Sequence, residues 1–388
     1  MSKTIYLDHS ATTRIHPEVK EAMMPCWDDF YGNPSSLHHK GREARQGIES
    51  ARATIAGYFN CDPKEIIFTS GGTESDNLAI FGVAKALKTK GNHIITSAIE
   101  HHAVLNTCSQ LKKEGSEVTF LPVDKFGLVS LEELKKSIRP ETILISIMYA
   151  NNETGVIQPV EEIGRLAREH KIVFHTDAVQ GIGKIKIDLN KLPVDLMTGS
   201  AHKIYGPKGI GLLYIRKGTR LLPSQVGGHH EFKRRAGTEN VAGIIGFAKA
   251  VELAHQQMDT NNKKTADLRD RLQDGIVKNI PEVQVNGHPT ARLPNLLNIS
   301  FKYVEGEGII LNLDTNGICV SSGSACTSES LEPSHVLGAM GLPAEDAHGS
   351  IRFSLGLANT AEEIDFTVDC LIKTIDKLRQ MSPLYKKK

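Results

Sequence analysis

Neither sign of charge dominates this chain. Lys and Arg number 46 against 45 Asp and Glu over 388 residues, a formal net charge of +1. That balance removes any bulk electrostatic attraction to nucleic acid or to an acidic membrane surface. The basic end, LYKKK, reads as a solvated tail. No run approaches the ~20 apolar residues that span a bilayer, and the opening MSKTIYLDHSATT has no apolar stretch of secretory-signal length. Cysteine is scarce and scattered: Cys26, Cys61, Cys108, Cys319, Cys326 and Cys370 include no C-x-x-C pair, against both a disulfide framework and a zinc site. There is no internal repeat and no low-complexity segment. These absences lead to the expectation of a cytoplasmic protein with reduced thiols and without nucleic-acid or membrane partners.

What is present is a regular alternation. From about Glu65 to Lys217, short β-rich runs (EIIFTS, HIITSAI, EVTFLPV, TILISIMYA, IVFHTDA, VDLMTGS, GIGLLYI) are separated by segments of helical period. Such alternation predicts an α/β fold whose mostly parallel sheet is covered on both faces. Ligands of such sheets bind beyond the carboxyl ends of the strands. Near His255 to Thr265 the composition turns strongly polar, and the remainder reads as a smaller α+β unit. The expected division is 15–258 for a large ligand-binding domain, with 1–14 plus 259–388 as a small domain carrying a mobile loop at about 319–332.

The candidate chemical residues fall where that geometry would put them. In SAHKIYGPKG, Ser200, His202 and Lys203 cluster at a strand end, and a lysine there can form a Schiff base with a carbonyl cofactor. Asp177 ends the apolar run IVFHTD; it is a turn residue or a carboxylate held in a dry site against a cation, with Gln180 three residues on. In FTSGGTESDN two glycines turn the chain into a helix expected to start at Thr73. Its free N–H groups make a phosphate cradle around Gly72 and Thr73, while Thr73 and Asp76 also resemble a capping box. His101 starts a helix and is a cap, a core residue, or a proton shuttle facing a cofactor ring. Asn151 and Asn152 follow another strand in a turn. Arg352 lies in IRFS, either on an exposed face or as a clamp for a carboxylate. Cys326 sits in SSGSACTS with no base beside it, and a helix expected near Pro333 is too far away to activate it.

In order along the chain, GNPSSLH, TSGGTESDN, EHHAV, ANNETG, HTDAVQ, SAHKIYGPKG, GGHHEFKRRAGTEN, SSGSACTS and IRFSLG resemble the cysteine desulfurases of the NifS/IscS type over essentially the whole length. The resemblance implies a fold-type-I transferase that uses pyridoxal 5′-phosphate to convert L-cysteine to L-alanine. It implies that Lys203 holds the cofactor, Asp177 pairs with its ring nitrogen, Gln180 bonds the ring hydroxyl oxygen, and His101 stacks on the ring and moves protons. Gly72, Thr73, Ser200 and His202 would bind the phosphate, together with Thr238 from a second copy in a homodimer. Asn152 and Arg352 would hold the substrate carboxylate. Cys326 would take the sulfur as a persulfide, with transient iron–sulfur ligation open to it, for delivery to an iron–sulfur scaffold or thiolation partner. His9, Ser10, Gly72 and the run GLANT depart from the family's common pattern. The competing readings are a selenocysteine lyase or aminotransferase of the same fold, and a non-catalytic persulfide carrier. The carrier needs only the thiol, whereas an aminotransferase has no use for Cys326.

Overall fold

The computed structural model describes residues 4–322, 333–383 and 385. Cys326, and with it most of the SSGSACTS stretch and of the 319–332 loop, lies outside the described residues.

The strands are β1 (Ile5–Tyr6), β2 (Ile66–Thr69), β3 (His93–Ser97), β4 (Glu117–Leu121), β5 (Thr142–Ser146), β6 (Val173–Asp177), β7 (Leu196–Ser200), β8 (Gly211–Ile215), β9 (Val283–Asn286), β10 (Leu296–Phe301), β11 (Ile318–Cys319) and β12 (Ser350–Ser354). Seven of them form one sheet in the order β2-β8-β7-β6-β5-β3-β4. Only β8 runs antiparallel to its neighbours. Every residue of β2, β3, β5, β7 and β8 is buried, which is why these strands read as apolar runs rather than alternations. The pleat still sorts their side chains. Ile66, Phe68, Ile95, Ile145, Met197 and Leu212 join one apolar cluster with Ile48 and Ile55 of the His39–Phe59 helix. Their strand neighbours Ile67, Ile94, Leu144, Leu196 and Leu213 join another with Leu78 and Val83 of the Gly72–Ala86 helix. Period-2 alternation thus feeds two helical layers.

A further cluster gathers Leu297, Ile299 and Phe301 of β10, Ile351 and Phe353 of β12, and Leu268, Leu272 and Ile276 of the Met258–Asn279 helix. β10 pairs antiparallel with both β9 and β12. The polar stretch at 255–265 holds the break between the Val241–Gln256 and Met258–Asn279 helices, at Gln257. Near Pro333, Ser334 caps a short helix, His335–Ala339.

Two local expectations fail. The helix after the Gly-Gly turn begins at Gly72, with Gly71 as its N-cap and no side-chain cap at all. Thr73 and Asp76 therefore form no capping box. Asp76 turns inward instead, 1% exposed, with a carboxylate oxygen 3.6 Å from the ring of buried His175.

Candidate active site

The carboxyl ends of β2, β3, β5, β6 and β7 lead into the turns that carry the candidate residues. After β7 the chain closes one 3₁₀ turn, Ala201–Lys203. The Lys203 ammonium donates to the carbonyls of Ser10 at 2.5 Å and Ala11 at 2.7 Å. The Gln180 amide donates to the same Ser10 carbonyl at 3.0 Å, so Lys203 and Gln180 share one anchor in the N-terminal segment. His202 completes the attachment through Nδ1, 3.1 Å from Thr12 Oγ1. Burial and the Lys203 charge lower its pKa to about 4.

Asp177, 7% exposed at the end of β6, accepts the Val179 N–H at 2.9 Å. Burial raises its pKa to about 6, against the pull of that hydrogen bond and of Lys203. Beneath it lie two more acids. Asp76 is raised by burial and by Asp177. Glu100 is raised to about 8, chiefly by burial, and bonds Ser97 Oγ at 2.6 Å and the Met148 N–H at 2.9 Å. A buried group of acids pushed towards protonation is the environment that a bound cation stabilises. His175 fixes the floor, with its ring nitrogens on Ser146 Oγ at 2.8 Å and Thr198 Oγ1 at 3.0 Å.

His101 is the N-cap of the His102–Lys113 helix, its Nδ1 accepting from the Ala103 N–H at 3.1 Å. Burial, then the charge of Lys203, lower its pKa to about 4 and leave the ring neutral. On the phosphate side, Gly71 leaves the first turn of a 15-residue helix without a side-chain cap. The nearby Ser200 Oγ is buried and has no hydrogen-bond partner among the described residues. A Cβ at Gly72 would stand 3.0 Å from Val179 and 3.9 Å from Ser200 Cβ, so glycine keeps the floor open. Orphaned donors at a helix N-terminus fit an anion, and the buried acids fit a cation. Pyridoxal 5′-phosphate presents both, together with an aldehyde for Lys203.

The asparagine turn divides its labour. Asn151 is fully spent on structure: its side-chain oxygen accepts from the N–H groups of Glu153 and Thr154, each at 2.9 Å, and its amide donates to Ile99. Asn152 accepts from Arg352 Nη1 through its carbonyl at 3.1 Å. Arg352 is 3% exposed, so it does not face solvent from β12. Its Nη2 reaches Asp8 at 2.9 Å and its Nε has no partner. Thr238 is exposed, in a cleft with Ser70, Gly209 and Arg235.

Sequence reasoning missed what holds Thr238's segment. Arg52, 1% exposed, makes two 2.8 Å bonds to the Glu231 carboxylate, and that carboxylate also accepts the Phe68 N–H at 2.8 Å. Glu231, Phe232 and Lys233 all have left-handed backbones, with φ of 43°, 55° and 66°. It also missed His175, Glu100 and the inward turn of Asp76; the signal for His175 was a polar residue inside the apolar run IVFHTD.

The description "Aminotransferase class-V" matches residues 5–366. The chain is 56% identical to a cysteine desulfurase IscS of Dictyoglomus turgidum over 99% of this chain and 97% of that protein. It is 54% identical to a cysteine desulfurase IscS of Methanosarcina thermophila, over 99% and 95%. Its fold superposes on a solved NifS-like protein with a TM-score of 0.92 at 40% identity, covering 97% of this chain and all of that one. The chain belongs to the class-V aminotransferase family, and within it to the cysteine desulfurases of the NifS/IscS type.

Proposed function

We propose that this chain converts L-cysteine to L-alanine and carries the sulfur away on Cys326, as a homodimer in the cytoplasm. The observation that carries the reading is the Lys203 amine, tied with Gln180 to Ser10 and standing within electrostatic reach of His101 and Asp177. Pyridoxal 5′-phosphate, when bound, supplies an electron sink for charge developing at the substrate α-carbon. Lys203 would hold its aldehyde, and the same side-chain amine would serve as the base for the substrate α-proton. Asp177 keeps the ring nitrogen protonated. Gln180 bonds the ring oxygen. Gly72, Thr73, Ser200 and His202 hold the phosphate, joined by Thr238 of a second copy. His101 stays neutral at pH 7; with Nδ1 accepting the Ala103 N–H, its proton sits on Nε2, the nitrogen that would pass it on and take it back.

Asn152 and Arg352 orient the substrate carboxylate, for which Arg352 Nε, unpartnered among the described residues, is one donor still available. Cys326 attacks the substrate sulfur as a thiolate: an S–S bond forms, the C–S bond breaks, and the electron pair remains with the carbon skeleton that becomes alanine. Ser321 and Arg352 exchange backbone hydrogen bonds of 2.7 and 3.4 Å. That anchors the chain five residues before Cys326, a span of at most ~3.6 Å per residue. We assign the large domain to 15–258 and the small one to 1–14 plus 259–388, with the site between them. Sulfur then passes to an acceptor protein for iron–sulfur assembly or thiolation.

The test is optical and covalent. The cofactor-loaded protein should be yellow, and borohydride should fix the chromophore on the peptide containing Lys203. Lys203→Ala should lose both the fixation and alanine formation from L-cysteine. Normal turnover in that variant refutes the assignment.

A further inference from the structure

A cavity lies at the break between the Val241–Gln256 and Met258–Asn279 helices, under the N-terminal segment. Of the residues assigned to the reaction only Lys203 lines it; Asp177, His101, Ser200, Asn152 and Arg352 do not. About 60 Å³ of it is open to the centre of a water-sized sphere. That is room for roughly four to six waters at ~10–15 Å³ each, or one molecule of about as many non-hydrogen atoms.

The lining has an unusual chemical balance. Among the described residues it contains no carboxylate, yet it includes Lys184 as well as Lys203. Burial and the charge of Lys203 lower the Lys184 ammonium to about 8, so it is still charged at neutral pH. It donates to one protein acceptor, the Gln180 carbonyl at 3.1 Å, although an ammonium has three N–H groups. Two acceptors on the wall are also unspent. Asn295 is 5% exposed, and its amide nitrogen bonds the Leu355 carbonyl at 3.2 Å. That bond fixes the orientation and leaves Oδ1 buried with no partner. His9 packs edge-on against Tyr6 at 4.9 Å, and burial holds its ring neutral down to about pH 4. The ring bonds the Tyr6 backbone, while Nδ1 is buried and unpartnered. With the other nitrogen donating, Nδ1 is an acceptor. Leu253, Ala254 and Leu355 supply apolar wall.

A buried donor without an anion and buried acceptors without a donor each carry a cost that one ligand can remove. We propose that this cavity is a second ligand site for a small zwitterionic amino acid, its carboxylate on Lys184 and its ammonium on Asn295 Oδ1 and His9 Nδ1. The volume accommodates an occupant about the size of alanine. That alanine itself is the occupant deepens the proposed reaction and rests on it, since alanine is there the product; the site does not depend on that reading.

The test uses holoenzyme treated with borohydride, so that no amino acid can add to the cofactor, and equilibrium dialysis with radiolabelled L-alanine. Saturable binding of one alanine per chain is expected. Lys184→Met and Asn295→Leu should each weaken it at least tenfold, whereas Arg352→Lys should leave it unchanged. Propionate and ethylamine, each with one end of the zwitterion, should compete at least tenfold less well than alanine. No saturable binding, or binding lost in Arg352→Lys and kept in Lys184→Met, overturns the site. So does binding indifferent to both cavity variants. Propionate competing as well as alanine overturns the zwitterion assignment. If borohydride fixes nothing on Lys203, the cofactor reading fails separately, and the same dialysis on untreated protein still decides the cavity.

Discussion

Replacing Glu231 with alanine isolates the device that shapes the segment leading to Thr238. The side chain is 4% exposed and its two oxygens take three hydrogen bonds, two from Arg52 and one from the Phe68 N–H. The Arg52 guanidinium is stacked between Phe68, 4.8 Å from its ring centre, and Phe232, at 5.1 Å. Deleting the carboxylate leaves the buried guanidinium with the half-exposed Glu49 carboxylate at 3.3 Å and the Ile66 carbonyl at 2.7 Å, and a strand N–H without an acceptor. Breaking a buried pair from one side costs about 3–5 kcal/mol. The three left-handed residues, each of which costs about 1–3 kcal/mol in both proteins, lose the side-chain anchor that holds them. Glu231→Ala should therefore lower the unfolding free energy by about 3–5 kcal/mol, read from urea midpoints at constant m. Hydrogen exchange should accelerate at the Phe68 amide in β2. The double variant Arg52→Met, Glu231→Leu should recover most of the loss, because apolar residues of similar volume replace a buried pair at little cost. A loss below about 1 kcal/mol in Glu231→Ala, or a double variant no better than the sum of the singles, refutes the reasoning.

Asp177→Asn removes the charge but keeps the Val179 contact. An ion pair at ~4 Å and an effective dielectric of ~20 is worth about 4 kcal/mol, so alanine formation should fall roughly 10³-fold; a fall below tenfold contradicts the pairing. Glu100→Gln tests the buried acids by pH. The Glu100 carboxyl, raised to about 8 from 4.5, stabilises the fold fully below pH 4.5 and loses that contribution as pH rises through 8. The glutamine variant should therefore show a flatter fall in urea midpoint between pH 5 and 8, by up to about 1.4 kcal/mol per pH unit. An unchanged slope contradicts the assignment.

Much of this molecule was legible before its structure. The strands announced themselves because both faces of the sheet are covered, and several candidate residues follow an apolar run at a carboxyl end. Lys203, Asp177, His101 and the Gly72 turn were singled out that way. What was not legible lies at long range or points inward. The Thr73–Asp76 spacing imitates a cap, but Gly71 takes that place and Asp76 packs under Asp177, because the helix face it occupies meets the sheet. Arg52 and Glu231 are 179 residues apart, so no local pattern links them. Arg352 in an alternating strand looked equally able to face solvent until β10 and Ser321 closed on either side of it. Thr238 gives no local sign of the role proposed for it, which needs a second copy.

The most direct test follows one sulfur atom. Holoenzyme and one equivalent of L-cysteine, without acceptor, should yield L-alanine and a single added sulfur on the peptide carrying Cys326, removable by a thiol reductant. Cys326→Ala should keep the yellow chromophore and its response to L-cysteine, hold no sulfur, and form almost no alanine. Alanine formed by that variant at the wild-type rate would contradict the transfer of sulfur through Cys326.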